Sequence, residues 1–187
     1  MWCLAITIVI YPSVDTSDMK ALIVVDYQND YVTGPLGHKF AKMIENNICD
    51  RIEDTLDQKG DVFFLMDSYG TDYEDTLEGK RNPVRHCIRG LPGEELHGKV
   101  GDYLNKGHII RKQTPGSEEL YKRIARYDEI EICGLEMNRD ILVNAIIAQT
   151  SNPKATITIR QNCVASKDSL LGEEAMDILT SLGIVFI

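Results

Sequence analysis

The chain is expected to fold as one α/β domain around a parallel sheet, and three observations predict this. From Lys20 onward, short runs of apolar and β-branched residues alternate with longer amphipathic stretches, the pattern of βαβ units. Several of the runs are nearly continuous in hydrophobic residues, as strands are when helices cover both faces of a sheet. The length of 187 residues and a hydrophobic content of 43% suit one core of ordinary size and disfavour a second domain.

Six runs read as strands: Ala21 to Asp26, Val62 to Asp67, His108 to Lys112, Glu129 to Cys133, Ala155 to Arg160 and Ile184 to Ile187. Between them, Lys42 to Leu56 carries Met43, Ile44, Ile48, Ile52 and Leu56 at helical spacing, with charges on the opposite face. Ser117 followed by Glu118, Glu119 and Leu120 opens another helix with an N-cap residue and acids in its first turn. Ile141 to Ala148 is the most apolar helix, and Ser169 to Leu179 precedes the last strand. The stretch from Ser68 to Gly93 has little periodicity and reads as a long loop, the natural wall of a binding site.

The domain is assigned to residues 19–187, with 1–18 an N-terminal extension outside it or an added edge strand. Trp2 to Tyr11 is apolar throughout, but its ten residues fall well short of the roughly 20 that cross a bilayer as a helix. The segment also lacks the basic start and small-residue cleavage site of a secretory signal. Twenty Lys and Arg against 29 Asp and Glu give a net charge of −9, which argues against a surface built to bind nucleic acid. Five cysteines at 3, 49, 87, 133 and 163 form no CxxC pair. They fit neither a disulfide framework nor a structural zinc site, and the chain reads as cytoplasmic with reduced thiols.

Ligands of open parallel sheets collect outside the carboxyl ends of the strands. The polar residues there are Asp26, followed by Tyr27, Gln28, Asn29 and Asp30; Asp67; Arg111 and Lys112; and the Gly134, Leu135, Glu136 turn. A carboxylate and a lysine on neighbouring strand ends would form a compact ion pair, although a lone polar strand end is most often only solvated or capping a helix.

Four segments lift Asp26 and Lys112 above that reading: ALIVVDYQNDYVTGPLG at 21–37, HCIRGLPGEEL at 86–96, IIRKQTPGS at 109–117 and EIEICGLEMNRDILVNAI at 129–146. In this order they resemble the isochorismatase-like hydrolases, the superfamily that includes the nicotinamidases and related cysteine amidases. The resemblance implies a single three-layer domain with a six-stranded parallel sheet of order 3-2-1-4-5-6. It also implies a catalytic trio of Asp, Lys and Cys, with the Asp at Asp26 and the Lys at Lys112. The nucleophilic cysteine is expected six residues after Gly134, and that position is Asp140. Cys133 and Cys163 are read as small buried hydrophobes.

By the same resemblance, backbone N–H groups of Glu136 and Asp140 would hold an oxyanion around a cis Leu135–Glu136 bond. Two carboxylates, Asp26 and Asp140, would face Lys112 and favour a retained proton or a tight ion cluster. Many nicotinamidases bind a divalent ion through an Asp-x-His pair after the second strand and further loop histidines. Here the pair reads Asp67, Ser68, Tyr69, the next position falls near Asp75, and only His86 is kept. No cofactor is therefore expected, with a hydrated divalent ion at Asp67, Asp75 and His86 as the open alternative and His86 equally read as packing the loop.

Three functions follow. The chain is a family hydrolase impaired in thiol-based amide hydrolysis, or a hydrolase using acid catalysis through Asp26 and Lys112, or a pseudoenzyme binding a small molecule or partner. An open pocket at Asp26, Lys112 and Asp140 would favour catalysis. A pocket plugged by Tyr69, Arg139 or Met137 would favour loss of it. A small-molecule ligand and homo-oligomerisation are expected; nucleic acid and membrane are not.

Overall fold

The computed structural model describes residues 19–187, so the expectation for residues 1–18 lies outside the described residues. Six strands form one parallel sheet: β1 (Lys20–Val25), β2 (Asp61–Asp67), β3 (His108–Lys112), β4 (Glu129–Gly134), β5 (Thr156–Val164) and β6 (Val185–Phe186). Their order is β3-β2-β1-β4-β5-β6, as the resemblance implied. The helices are α1 (Asn29–Val32), α2 (Lys39–Met43), α3 (Glu45–Asp57), α4 (Leu77–Arg81), α5 (Glu118–Ile124), α6 (Leu142–Ser151) and α7 (Ser169–Ser181).

Strand side chains alternate between two cores, because successive residues of a strand point to opposite faces. Leu22 and Val24 of β1 join Phe64 and Met66 of β2 and pack with Ile48 and Ile52 of α3. Ala21, Ile23 and Val25 face the other way, with Leu120 of α5, Ala145 of α6 and Leu179 of α7. Ser117 caps α5 as expected, its side chain accepting from Leu120 N at 3.1 Å.

The observed boundaries depart from the sequence reading where turns intervene. The expected Lys42–Leu56 helix is two, α2 and α3, separated at Ile44. β5 runs four residues past Arg160, to Val164. The long Ser68–Gly93 stretch holds α4 and a short 3-10 turn, Tyr73–Asp75.

Register brings the site residues together. Val25 of β1 lies opposite Leu65 of β2 and Gly134 of β4, while Asp67 of β2 lies opposite Lys112 of β3. Three adjacent strands therefore end side by side, and the chain after β4 returns to the same edge. Gly134 is required there: its φ is +112° and a Cβ would collide with Val25 O.

Candidate active site

Asp26 leaves β1 in the left-handed region, with φ 48°, a conformation that Asp tolerates better than most residues. Its backbone N–H still donates to Leu65 O at 2.8 Å, and its Oδ1 accepts from Asp67 N at 3.0 Å. Gln28 fixes the same corner, accepting from Asp67 N at 2.9 Å and donating to Asp67 O at 2.8 Å.

Lys112 is the hub. Its Nζ donates to Asp67 Oδ1 at 2.7 Å and to Asp140 Oδ1 at 3.1 Å, and lies 2.7 Å from Asp26 Oδ2 as an ion pair. The sequence reading placed two carboxylates around this ammonium, and there are three, because the β2–β3 register sets Asp67 beside Lys112. Asp140 reaches the group from a π-helical turn, Met137–Ile141, in which Ile141 N donates to Glu136 O at 3.1 Å.

Burial sets the electrostatics. Asp26, Asp67 and Asp140 have no exposed surface, and the Lys112 side chain is 2% exposed. Burial, first, and then the charge of Asp67 push the Asp26 carboxyl well above the usual carboxylate range, against the opposing pull of Lys112. Burial also raises Asp140, while Lys112 pulls it down. The Lys112 ammonium is pushed well above its ordinary value, the charges of Asp140, Asp26 and Asp67 overcoming the cost of burial. Three carboxylates gathered around one ammonium favour retention of a proton within the cluster, shared among the group.

The centre is closed over. Tyr31 and Tyr69, with hydroxyls 2.7 and 3.4 Å from Asp67 Oδ2, are buried beside it. Arg139, half-buried, donates to Glu78 Oε2 at 2.8 Å and lies 3.7 Å from Asp140 Oδ2. Two surface depressions, of about 220 and 310 Å³, are both lined by Arg139 and Asn82, and neither is lined by Asp26, Lys112 or Asp140.

The remaining expected groups are placed as follows. All peptide bonds of the described residues are trans, so the expected cis Leu135–Glu136 bond is not formed. Glu136 is extended, and its side chain joins His38 Nε2 at 2.8 Å and Lys167 N at 2.7 Å. Asp75 is exposed on its 3-10 turn and does not join Asp67, which Lys112 and Tyr31 hold at the strand end. His86 is fully buried; its Nδ1 lies 2.9 Å from Val84 O, a pure acceptor, and so carries a proton. Its Nε2 faces the Tyr31 hydroxyl at 3.3 Å. Oxygens of Asp26, Asp67 and Asp140 lie within 4.8 Å of one another and could each offer a ligand to a divalent ion, but the Lys112 ammonium sits among the same three carboxylates.

Cys133 and Cys163 are both buried, as expected. Cys87 is the thiol that sequence reasoning missed. It feels the charges of Asp67, Asp26 and Lys112, yet burial and those carboxylates push it far above the ordinary thiol range. Its Sγ is turned to Gly93 O at 3.9 Å. A thiol so placed stays protonated, the opposite of an activated nucleophile. The tyrosine hydroxyls around Asp67 and His86 were also missed, since residues 31, 69, 73 and 86 share no local pattern.

A family model described as isochorismatase domain matches residues 20–186. Nicotinamidase/pyrazinamidase from Bacillus subtilis is similar at 27% identity and a TM-score of 0.80, over 90% of this chain and 98% of that one. The fold is also shared with a pyrazinamidase of Pyrococcus horikoshii in complex with zinc (22% identity, TM-score 0.80, 90% of this chain and 98% of that one). N-carbamoylsarcosine amidase from Thermoplasma acidophilum shares it too (20% identity, TM-score 0.74, 90% and 95%). No curated protein sequence matches the chain significantly. Among the described residues, no helix is long and apolar enough to cross a membrane.

Proposed function

This chain belongs to the isochorismatase family, and we propose that it keeps the hydrolase fold but is impaired in thiol-based amide hydrolysis because Asp140 stands at the nucleophile position. The observation that carries this reading is the 3.1 Å hydrogen bond from Lys112 Nζ to Asp140 Oδ1 inside a sealed centre. A thiolate combines high nucleophilicity with a pKa that can be lowered into the physiological range. A carboxylate is a weak acyl nucleophile, and its attack on an amide would give a labile anhydride.

Charge opposes the reaction as well. At an effective dielectric of about 20, two like charges about 4 Å apart repel by about 4 kcal/mol. That equals the roughly 3–4 kcal/mol that one well-placed oxyanion donor contributes, so a carboxylate at position 140 cancels such a donor. The burial of Asp26, Asp140 and Lys112 and the closure by Tyr31, Tyr69 and Arg139 add a steric barrier.

A second reading is favoured by one observation. The raised Asp26 carboxyl is what a general acid needs near neutral pH, and Lys112 stands beside it. Acid-catalysed cleavage of an enol ether would then survive the loss of the thiol, once Arg139 moved aside. In either case the ligand is a small molecule, the chain works as a homo-oligomer in the cytoplasm, and a divalent ion has to compete with Lys112 for the carboxylates.

A hydrolysis panel of small amides, carbamates and enol ethers tests these readings on the native chain, Asp26→Asn and Asp140→Cys. No turnover by the native chain on any class, with amide turnover appearing in Asp140→Cys, supports impairment. Native turnover of enol ethers alone, abolished in Asp26→Asn, supports acid catalysis. Native amide turnover overturns both.

A further inference from the structure

The two side chains that a zinc ion would use after β2, Asp67 and His86, are enclosed by protein groups. Asp67 Oδ1 accepts from Lys112 at 2.7 Å and Oδ2 accepts from the Tyr31 hydroxyl at 2.7 Å, with the Tyr69 hydroxyl at 3.4 Å. His86 has Nδ1 against Val84 O at 2.9 Å and the Tyr73 hydroxyl at 3.2 Å, and Nε2 against the Tyr31 hydroxyl at 3.3 Å. The rings of Tyr31, Tyr69 and Tyr73 stand edge-on around the imidazole, with centroids 5.5, 5.2 and 5.3 Å away. All five side chains are at most 2% exposed.

Zinc sites are built from Cys, His and carboxylate donors with free lone pairs, usually four around the ion. This set offers one imidazole, whose Nε2 faces the Tyr31 hydroxyl, and one carboxylate whose two oxygens are engaged, short of the four donors such a site uses. The donor set does not fit the ion.

We infer that the three tyrosines replace a metal ion as the partner of Asp67 and His86, that the centre is metal-independent, and that Tyr69 is the residue whose identity excludes zinc. A bare Asp67 and His86 would be costly in the core, because buried polar groups need partners. The Tyr31 hydroxyl gives Asp67 its partner without an ion, the Tyr73 oxygen faces His86 Nδ1, and the three rings stand edge-on around the imidazole. Tyr69 follows Asp67 by two positions, with a β-bridge to Ile88 beside it. An imidazole there would lie between Asp67 and His86 and complete a two-histidine, one-carboxylate set.

The inference is independent of whether the chain turns over any substrate. Its test is zinc content after dialysis against zinc and then buffer, together with melting temperature with and without a chelator. For the native chain, no stoichiometric zinc and an unchanged melting temperature are expected. Stoichiometric zinc in the native chain that either His86→Ala or Asp26→Asn removes, or a fall in native melting temperature with chelator, would overturn the inference. Tyr69→His is expected to take up about one zinc per chain, as a closed set of this kind does, and to melt higher with zinc than without. The pair Tyr69→His with His86→Ala is expected to lose that uptake. Tyr69→His that folds, by circular dichroism, yet binds no more zinc than Tyr69→Phe would contradict the role given to Tyr69. If Tyr69→His folds only with zinc present, that dependence itself supports it.

Discussion

Asp67 and Lys112 lie opposite each other at the ends of β2 and β3, joined by a 2.7 Å charge-assisted hydrogen bond, and this pairing adds a third carboxylate to the two expected around the ammonium. Because Lys112 is the ammonium shared by Asp26, Asp67 and Asp140, its role is first of all to neutralise buried charge. Breaking a buried ion pair from one side commonly costs about 3–5 kcal/mol. Lys112→Met should therefore lower unfolding stability at pH 7 by about that amount, measured by urea denaturation. The loss should shrink as the pH falls and the carboxylates take up protons; a loss independent of pH would show that packing, not charge, is what Lys112 supplies.

Asp26 gives a pH dependence of opposite origin. Its carboxyl is raised by burial and by Asp67, so between its ordinary value of 3.8 and its higher folded value the native state holds more protons than the unfolded one. Stability from this group is complete below the ordinary value and is lost as pH rises through the folded one, with a slope of up to about 1.4 kcal/mol per pH unit. Asp26→Asn is neutral at every pH and lacks that loss. The stability of the variant relative to native should thus increase with pH in a denaturation series; a constant difference would mean that Asp26 is ionised throughout.

Cys87 offers a direct check on the absence of an activated thiol. Buried and raised by its surroundings, it should be inert to a thiol reagent at pH 8 in the folded chain. Native and Cys87→Ser should label at the same rate, and diverge only in denaturant. A fast phase present in native and absent in Cys87→Ser would restore a nucleophile near Asp26 and Lys112.

Gly134 sets the path from β4 to the Asp140 turn. With φ at +112° and Val25 O standing where a Cβ would project, Gly134→Ala should cost at least about 2 kcal/mol, from backbone strain and steric conflict together. Thermal unfolding checks this, and a near-neutral effect would show that the loop relaxes without the strand end.

The strands and their placement of Asp26 and Lys112 were legible because buried strands write themselves as apolar runs, and a polar residue ending such a run is conspicuous. Sheet order and the position of Asp140 came through the four-segment resemblance, not through periodicity. What stayed hidden depends on register and on long-range packing. Asp67 looked like a metal candidate until the β2–β3 register set it beside Lys112. Tyr31, Tyr73 and His86 converge from three separate segments, and nothing local marks them. The break at Ile44 was invisible because the apolar positions keep helical spacing across it. Asp75 entered only as the position near which the family's next loop histidine falls, and that correspondence says nothing about which way the turn faces, here outward.

Ammonia release from nicotinamide, followed for the native chain and Asp140→Cys side by side, tests the central claim most directly. The native chain should stay at the uncatalysed rate while Asp140→Cys rises above it. Ammonia release by the native chain that disappears in Asp26→Asn would contradict the claim that an aspartate at this position disarms the centre.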